Sequence, residues 1–402
     1  MATQETAKMP LTWAIRASLS SYCRDSYLGQ DHPTSIVNGP MIDCELGYSP
    51  FGICPRAAKA RIPWEEVAVY GELFYDSLLK PQLAYRFGTQ VKAGQWFFGH
   101  GSFNIAERVI HKLLPNCPRV MGPGPQFNEI PTEAVAAGGV YISVSECRSY
   151  SENVWLLARR LQEQIVGYAY PHMIYLDNPN NPTGYVLVIE ELREIIRAAE
   201  RRGAIVLVDE AYGDFLPVGM SAIGLIPEFS NLIVIRSFSK ALGLAAARVG
   251  YAAMSWPLAE LYRKIDVPFE PALPSAILAR ETLIDPDFIP YVQAQTRYVK
   301  AKVLQILGIN AARTENLPFR HISSHPDVSI CLLHAPGVDL YHLFYKYGIA
   351  VEPGAAYQQV APWIDNSYVR LRIPHPDNLP LFTERISLLR RELHGLRRDS
   401  NA

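Results

Sequence analysis

No run in the 402 residues approaches the roughly 18 consecutive apolar residues of a membrane-spanning helix. The start, MATQETAKMPLTWAIRASLSSYC, lacks a continuous apolar core of signal-peptide length. Cysteines 23, 44, 54, 117, 147 and 331 are scattered and form no CxxC pair. In a chain of this size that argues against a disulfide scaffold and against a zinc ribbon. Buried, reduced thiols in a cytoplasmic protein are the expectation, with no bound metal. Neither sign of charge dominates, since 38 Lys and Arg face 39 Asp and Glu. That balance points to no nucleic acid, no membrane surface and no acidic solvating tail. The 31 prolines are dispersed, so they form no linker block, and no repeat or low-complexity segment is evident. What is present is globular: 49% hydrophobic against 19% charged residues, in a chain long enough for a large core and two domains.

The middle of the chain alternates apolar runs with helical patterns. MIYLD (173–177) is followed by the turn cluster NPNNPTG. Leu192, Ile195, Ile196 and Ala199 then recur at i, i+3, i+4 and i+7, which predicts an amphipathic helix closed by Gly203. AIVLVDEAY (204–212) and NLIVIRSFSK (231–240) read as further buried strands. Strand, helix, strand with nearly all-apolar strands means a parallel sheet covered on both faces. Such sheets bind ligands beyond the carboxyl ends of their strands, where Asn181, Asp209 and Lys240 all fall. The last third reads as a smaller α+β domain. It has a long helical pattern from about Ala272 to Leu307, strands at 327–335 and 367–373, and a final helix with Phe382, Ile386, Leu389 and Leu393 on one face.

The chemistry concentrates in SFSKALGLAAARVG (237–250), where Lys240 and Arg248 stand in otherwise uncharged surroundings. A lysine whose amine burial makes partly neutral is a nucleophile in search of an electrophile. Ser237, Ser239 and Arg248 suit a phosphate. FGHGSFN (98–104) offers a second cradle, because Gly101 lets the backbone approach and Ser102 and Phe103 begin a helix. Asp209 ends a wholly apolar strand and calls for a cation, such as a protonated pyridine nitrogen. Tyr212 and the Asn181 amide are donors for a phenolate oxygen. Phosphate, aldehyde, pyridinium and phenolate are the parts of pyridoxal 5′-phosphate.

NPNNPTG, VDEAY and SFSKALGLAAARVG, in this order and spacing, resemble the central motifs of the fold type I pyridoxal phosphate enzymes. The resemblance is to the class I/II aminotransferases, in particular the histidinol-phosphate aminotransferase-like group, and it runs from about residue 45 to the C-terminus. It implies a large cofactor-binding domain (61–295) built on a mostly parallel seven-stranded sheet between helices. It also implies an N-terminal arm (1–60), a small C-terminal domain (296–402) and a homodimer. Lys240 is then the lysine of the Schiff base and the proton carrier. Asp209 is the partner of the ring nitrogen, and Asn181 and Tyr212 are the donors to the ring oxygen. Ser237, Ser239 and Arg248 hold the phosphate with Gly101, Ser102 and Phe103. Phe127, in PGPQFNE, stacks on the ring. Arg370 clamps a substrate carboxylate, with Arg372 on the same strand face as a competitor. Gly47 belongs to the segment that closes over the substrate. Each has a plainer alternative: Asp209 as a helix cap, Phe127 as core, Arg370 in a surface ion pair, Gly47 as a simple turn residue.

Three positions depart from the group. Glu352, in YGIAVEPGAAY, stands where the group carries an arginine for the substrate phosphate. It faces either the pocket, favouring a cationic or hydroxylated substrate, or solvent. Tyr85 or Phe87 replaces the tyrosine offered by the neighbouring subunit. Pro374 stands where a glycine is usual. The expected activity is amino transfer between an amino acid or related amine and a keto acid. The alternative is a lyase, cyclase or decarboxylase acting on an unusual amino acid with the same cofactor. A non-catalytic regulator fits poorly with the intact lysine.

Overall fold

The computed structural model of the chain describes residues 32–70, 74–163, 170–309 and 319–399. A two-residue strand, β1 (Ile42–Asp43), precedes the main sheet. That sheet consists of β2 (Trp96–Gly99), β3 (Arg119–Pro123), β4 (Val140–Val144), β5 (Met173–Asp177), β6 (Ile205–Asp209), β7 (Leu232–Ser237) and β8 (Gly250–Met254). The spatial order is β2-β8-β7-β6-β5-β3-β4. The pairs from β4 through β7 are parallel, while β8 runs antiparallel to both of its neighbours. This is the mostly parallel seven-stranded sheet that the apolar runs and the resemblance predict.

Alternation along the strands explains why it is covered twice. Ile174, Leu176, Val206, Val208 and Val234 belong to one core. Met173, Tyr175, Leu207, Ile233 and Ile235 belong to the core on the opposite face. Side chains of period two must divide in this way, and both sets are too apolar to face water. The helix Ile189–Glu200 buries Leu192, Ile195, Ile196 and Ala199 on the first face. Glu191 accepts a hydrogen bond from the Val188 N–H at its start. Gly203, at φ +69°, supplies the left-handed residue after it. Helices Ser102–Arg108 and Glu129–Ala136 cover the second face through Ile105, Ala106, Ile130 and Ala134.

The smaller sheet contains β9 (Arg320–His321), β10 (Ile330–His334), β12 (Glu352–Pro353) and β13 (Tyr368–Arg372), in the order β12-β13-β10-β9 and antiparallel. Separately, β11 (Ile349–Ala350) pairs in parallel with β1, which ties the N-terminal segment to this part of the molecule. The final helix, Leu379–Asp399, buries Phe382, Ile386, Leu389 and Leu393 against it.

Two expectations are corrected. The helical pattern from Ala272 to Leu307 is two helices, Leu273–Leu283 and Phe288–Leu307. Pro286 cannot donate and disfavours helix at the residue before it. The Asp285 carboxylate meanwhile accepts from the N–H groups of Asp287 and Phe288 and starts the second helix. The thiols are not uniformly buried. Cys44, Cys54 and Cys331 are, but Cys117 is exposed and Cys147 is half-buried, and Cys23 lies outside the described residues. Among the described residues no helix is long and apolar enough to cross a membrane.

The turn after β7 depends on one close approach. Gly243 has φ +71°, and a Cβ there would lie 2.1 Å from the Gly52 carbonyl oxygen. Backbone against backbone cannot give way, and the left-handed conformation adds strain for any L side chain. Gly243→Ala is expected to cost roughly 2–4 kcal/mol in folding stability by denaturant titration. A loss below half a kcal/mol would contradict this account of the turn.

Candidate active site at the carboxyl ends of the central strands

Neighbouring parallel strands end at one level. Asp177 on β5 is paired in register with Asp209 on β6, and Asp209 with Ile235 on β7. Their carboxyl ends therefore open on one rim. A cavity of about 400 Å³ lies there. All thirteen residues proposed from the sequence line it, although they come from seven separate stretches of chain.

One end of the cavity is an anion cradle. The Ser237 hydroxyl accepts from the Ser239 N–H at 3.1 Å. Arg248 donates through Nη1 to the Ser239 hydroxyl (3.3 Å) and the Ala245 carbonyl (2.9 Å), and through Nη2 to the His100 carbonyl (3.3 Å). Gly101, at φ +83°, passes so near that a Cβ would lie 2.8 Å from Arg248 Nη2. A Cβ on Gly250 would in turn sit 2.2 Å from the Ser102 nitrogen. Two glycines thus press the start of the helix Ser102–Arg108 against the guanidinium.

Lys240 stands at the centre, half-buried, with Nζ 5.4 Å from the centre of the Tyr212 ring. The Tyr212 hydroxyl is buried and without a hydrogen-bond partner. A Cβ on Gly47 would lie 2.2 Å from that hydroxyl and 3.0 Å from Lys240 Nζ, so only glycine leaves room for both. Asp209 lies on the floor of the cavity. Burial raises its carboxyl to about 6, against the pull of the Ala211 N–H, the Tyr175 hydroxyl and the Lys240 charge.

Asn181 links the centre to the far end. Its Oδ1 accepts from the Tyr357 hydroxyl (3.0 Å) and from Arg370 Nη1 (3.0 Å). That leaves Nδ2 as the atom that can donate into the cavity. Arg370 also donates to the Tyr357 hydroxyl (3.3 Å) and the Glu45 carbonyl, and it forms an ion pair with Glu352. Arg372 does not compete for this place. Its guanidinium stacks over Tyr48 and donates to the carbonyls of Leu46 and Asp43. Glu352 is in neither expected position: it is buried, and Arg370 stands between it and the cavity. Phe127 lines the cavity with its edge toward Phe103, ring centres 6.1 Å apart. Of the two candidates for a neighbouring subunit, Tyr85 is 91% exposed whereas Phe87 is packed in the protein's own core.

Three contributors are missing from the sequence reading. Asp177 accepts from the N–H groups of Phe127 (3.0 Å) and Asn181 (2.9 Å) and from the Asn180 amide (2.8 Å). It therefore ties Phe127 to the NPNNPTG turn, and burial pushes its carboxyl up to about 7. Its position at the end of an apolar run is the signal that singled out Asp209, and it applied here too. Tyr357 and Tyr175 carried no local signal.

Pyridoxal phosphate makes demands that can be tested against these atoms. The partnerless Tyr212 hydroxyl and Asn181 Nδ2 supply donors for its ring oxygen. Asp209 is a buried carboxylate on the cavity floor that a ring N–H can partner. The Arg248 cradle answers a phosphate. The residues present fit the group.

The chain belongs to the aminotransferase class I and II family, whose model matches residues 46–325. It is 35% identical over 187 residues to a histidinol-phosphate aminotransferase of Caldanaerobacter subterraneus subsp. tengcongensis, covering 46% of this chain and 50% of the relative. It is 28% identical over 280 residues to one of Caldicellulosiruptor saccharolyticus, covering 69% and 73%. The chain thus spans about half the length of the first of these curated relatives. In fold it is similar to a putative histidinol-phosphate aminotransferase from Erwinia carotovora atroseptica, with TM-score 0.74 and 20% identity over 90% of this chain and 99% of that one. It is also similar to the Sinorhizobium meliloti histidinol-phosphate aminotransferase in complex with pyridoxal-5′-phosphate, with TM-score 0.71 and 20% identity over 88% and 92%.

Asp209 carries a prediction of opposite signs. With the folded carboxyl near 6 and the unfolded value near 3.8, its contribution to stability is complete below about pH 4 and is lost as pH rises through about 6. Asp209→Asn is therefore expected to stabilise the cofactor-free protein at pH 8 by about 3 kcal/mol, with no gain at pH 4. The same variant loses its hold on the cofactor. Denaturant titrations at the two pH values check the first part, and equilibrium dialysis of the cofactor checks the second.

Proposed function

We propose that this chain is a pyridoxal phosphate-dependent aminotransferase, moving an amino group between an amino acid or related amine and a keto acid. The observation that carries the reading is the meeting of Lys240, Asp209, Tyr212 and Asn181 in one cavity that ends in the Ser237, Ser239 and Arg248 cradle. When bound, the cofactor supplies an electron-withdrawing ring that acidifies the substrate carbon bearing the amine.

The remaining roles belong to this chain. Lys240 Nζ would be the residue that holds the cofactor covalently, and as a free amine it would be the base that takes up a proton and returns it. Asp209 gives the ring N–H a carboxylate in a dry setting and so keeps that proton in place. Tyr212 Oη and Asn181 Nδ2 orient the ring by donating to its oxygen. Arg248, with Ser237, Ser239 and the N–H groups of Ser102 and Phe103, anchors the phosphate. Phe127 covers a ring face. Arg370 meets the substrate end remote from the phosphate, and Gly47 leaves space above Lys240. The proposal includes a homodimer in which Tyr85 reaches toward the neighbouring copy, and a cytoplasmic location.

Two measurements test it. Mixed with amino acids but no keto acid, the holoenzyme is expected to convert its cofactor stoichiometrically to the amine form and stop. Turnover that continues without an acceptor would replace this reading with elimination, cyclisation or decarboxylation. Lys240→Ala is expected to abolish the absorbance of the covalently attached cofactor, and persistence of that band would assign the attachment to another residue.

A further inference from the structure

The pairing of β12 with β13 sets Glu352 directly opposite Arg370. Partners in an antiparallel pair project to the same side, so carboxylate and guanidinium are forced together. Both are buried, at 8% and 5% exposure, and they form an ion pair. Arg370 lines the cavity, whereas Glu352 stands behind it. The other guanidinium bonds go to Asn181, Tyr357 and the Glu45 carbonyl. Every one of these acceptors belongs to the protein.

An arginine in this state is a poor receptor for an anion. A substrate carboxylate arriving at Arg370 meets a guanidinium whose charge is already matched, with a second carboxylate directly behind it. Two carboxylates sharing one buried cation cannot both stay ionised cheaply. A hydroxyl or an amide brings no charge and needs only a hydrogen bond.

We propose that Glu352 is a specificity-determining residue: by neutralising Arg370 it makes this end of the cavity a subsite for an uncharged polar group. Amine substrates with a hydroxymethyl or carboxamide at that position are taken in preference to their carboxylate counterparts. The proposal rests on the aminotransferase reading for the amine itself, but not for the ion pair.

The test compares matched probes on the holoenzyme. Dissociation constants for phenylalaninol, phenylalaninamide and phenylalanine are read from cofactor absorbance, and the comparison is repeated with the arginine and histidine series. Calorimetry with 3-phenylpropanol and 3-phenylpropanoate measures the same preference without an amine. The wild-type protein is expected to bind the uncharged member of each set about tenfold tighter. Glu352→Gln is expected to strengthen carboxylate binding by about tenfold and leave the uncharged probes within about threefold. A wild-type preference for carboxylates overturns the proposal. So does a Glu352→Gln protein that binds carboxylates more weakly, since Glu352 would then merely hold Arg370 in place. Should that variant not fold, the wild-type comparison decides alone. Cofactor absorbance unmoved by any amine would sink the aminotransferase reading, while the calorimetric comparison would still judge Glu352.

Discussion

The site is organised around a carboxylate that the sheet deprives of water. Asp209 is the last residue of a strand whose neighbours on both sides are also buried, and its position is dictated by the parallel register with β5 and β7. Neither the Ala211 N–H nor the Tyr175 hydroxyl brings a full positive charge, and Lys240 acts on it only from the turn after β7. A buried carboxylate in that condition costs the folded protein stability unless a cation is brought to it. The fold therefore builds a demand into its own floor, and the remaining site residues surround the place where that demand is met.

Alternation along the same strands separates two electrostatic systems. Glu210 and Arg236 are sequence neighbours of Asp209 and Ser237, and the period of two sends them away from the cavity. There Arg236 pairs with Glu210 and, at 2.8 Å, with Asp214, which also receives Arg86 at 2.9 Å. This network is self-contained. Because Arg236 is balanced by two carboxylates, it does not compete with Arg248 for an anion only a few residues away. The cavity keeps its imbalances, and the interior behind it does not.

Much of this was legible in the sequence because the decisive signals are local. An apolar run ending in Asp or followed by Asn-Pro fixes a strand and its rim, and SFSK with Arg248 fixes a cradle within twelve residues. The rest depends on pairing between distant segments. Arg370 and Arg372 share a strand face, and only the path of residues 43–48 decides that Arg372 stacks on Tyr48 while Arg370 faces the cavity. Tyr357 acquires its role by lying across from Asn181, 176 residues away. The break at Pro286 was written in the sequence, but the apolar periodicity on both sides of it masked the interruption.

Glu352 and Asp209 make an instructive contrast, since both are buried carboxylates beside one cavity. The protein supplies Glu352 with a cation from the opposite strand and leaves Asp209 short of one. The ligand is therefore asked for a positive group at the floor and a negative group at the Arg248 end. At the Arg370 end the protein has already cancelled its own charge. Read as charges alone, the cavity prescribes the order cation, anion and neutral for whatever fills it. The first two answer the pyridinium and phosphate of pyridoxal phosphate, and the third is the end we propose for the substrate. Of the three departures from the histidinol-phosphate aminotransferase pattern, Glu352 thus bears on the Arg370 end of the cavity and not on the Arg248 cradle.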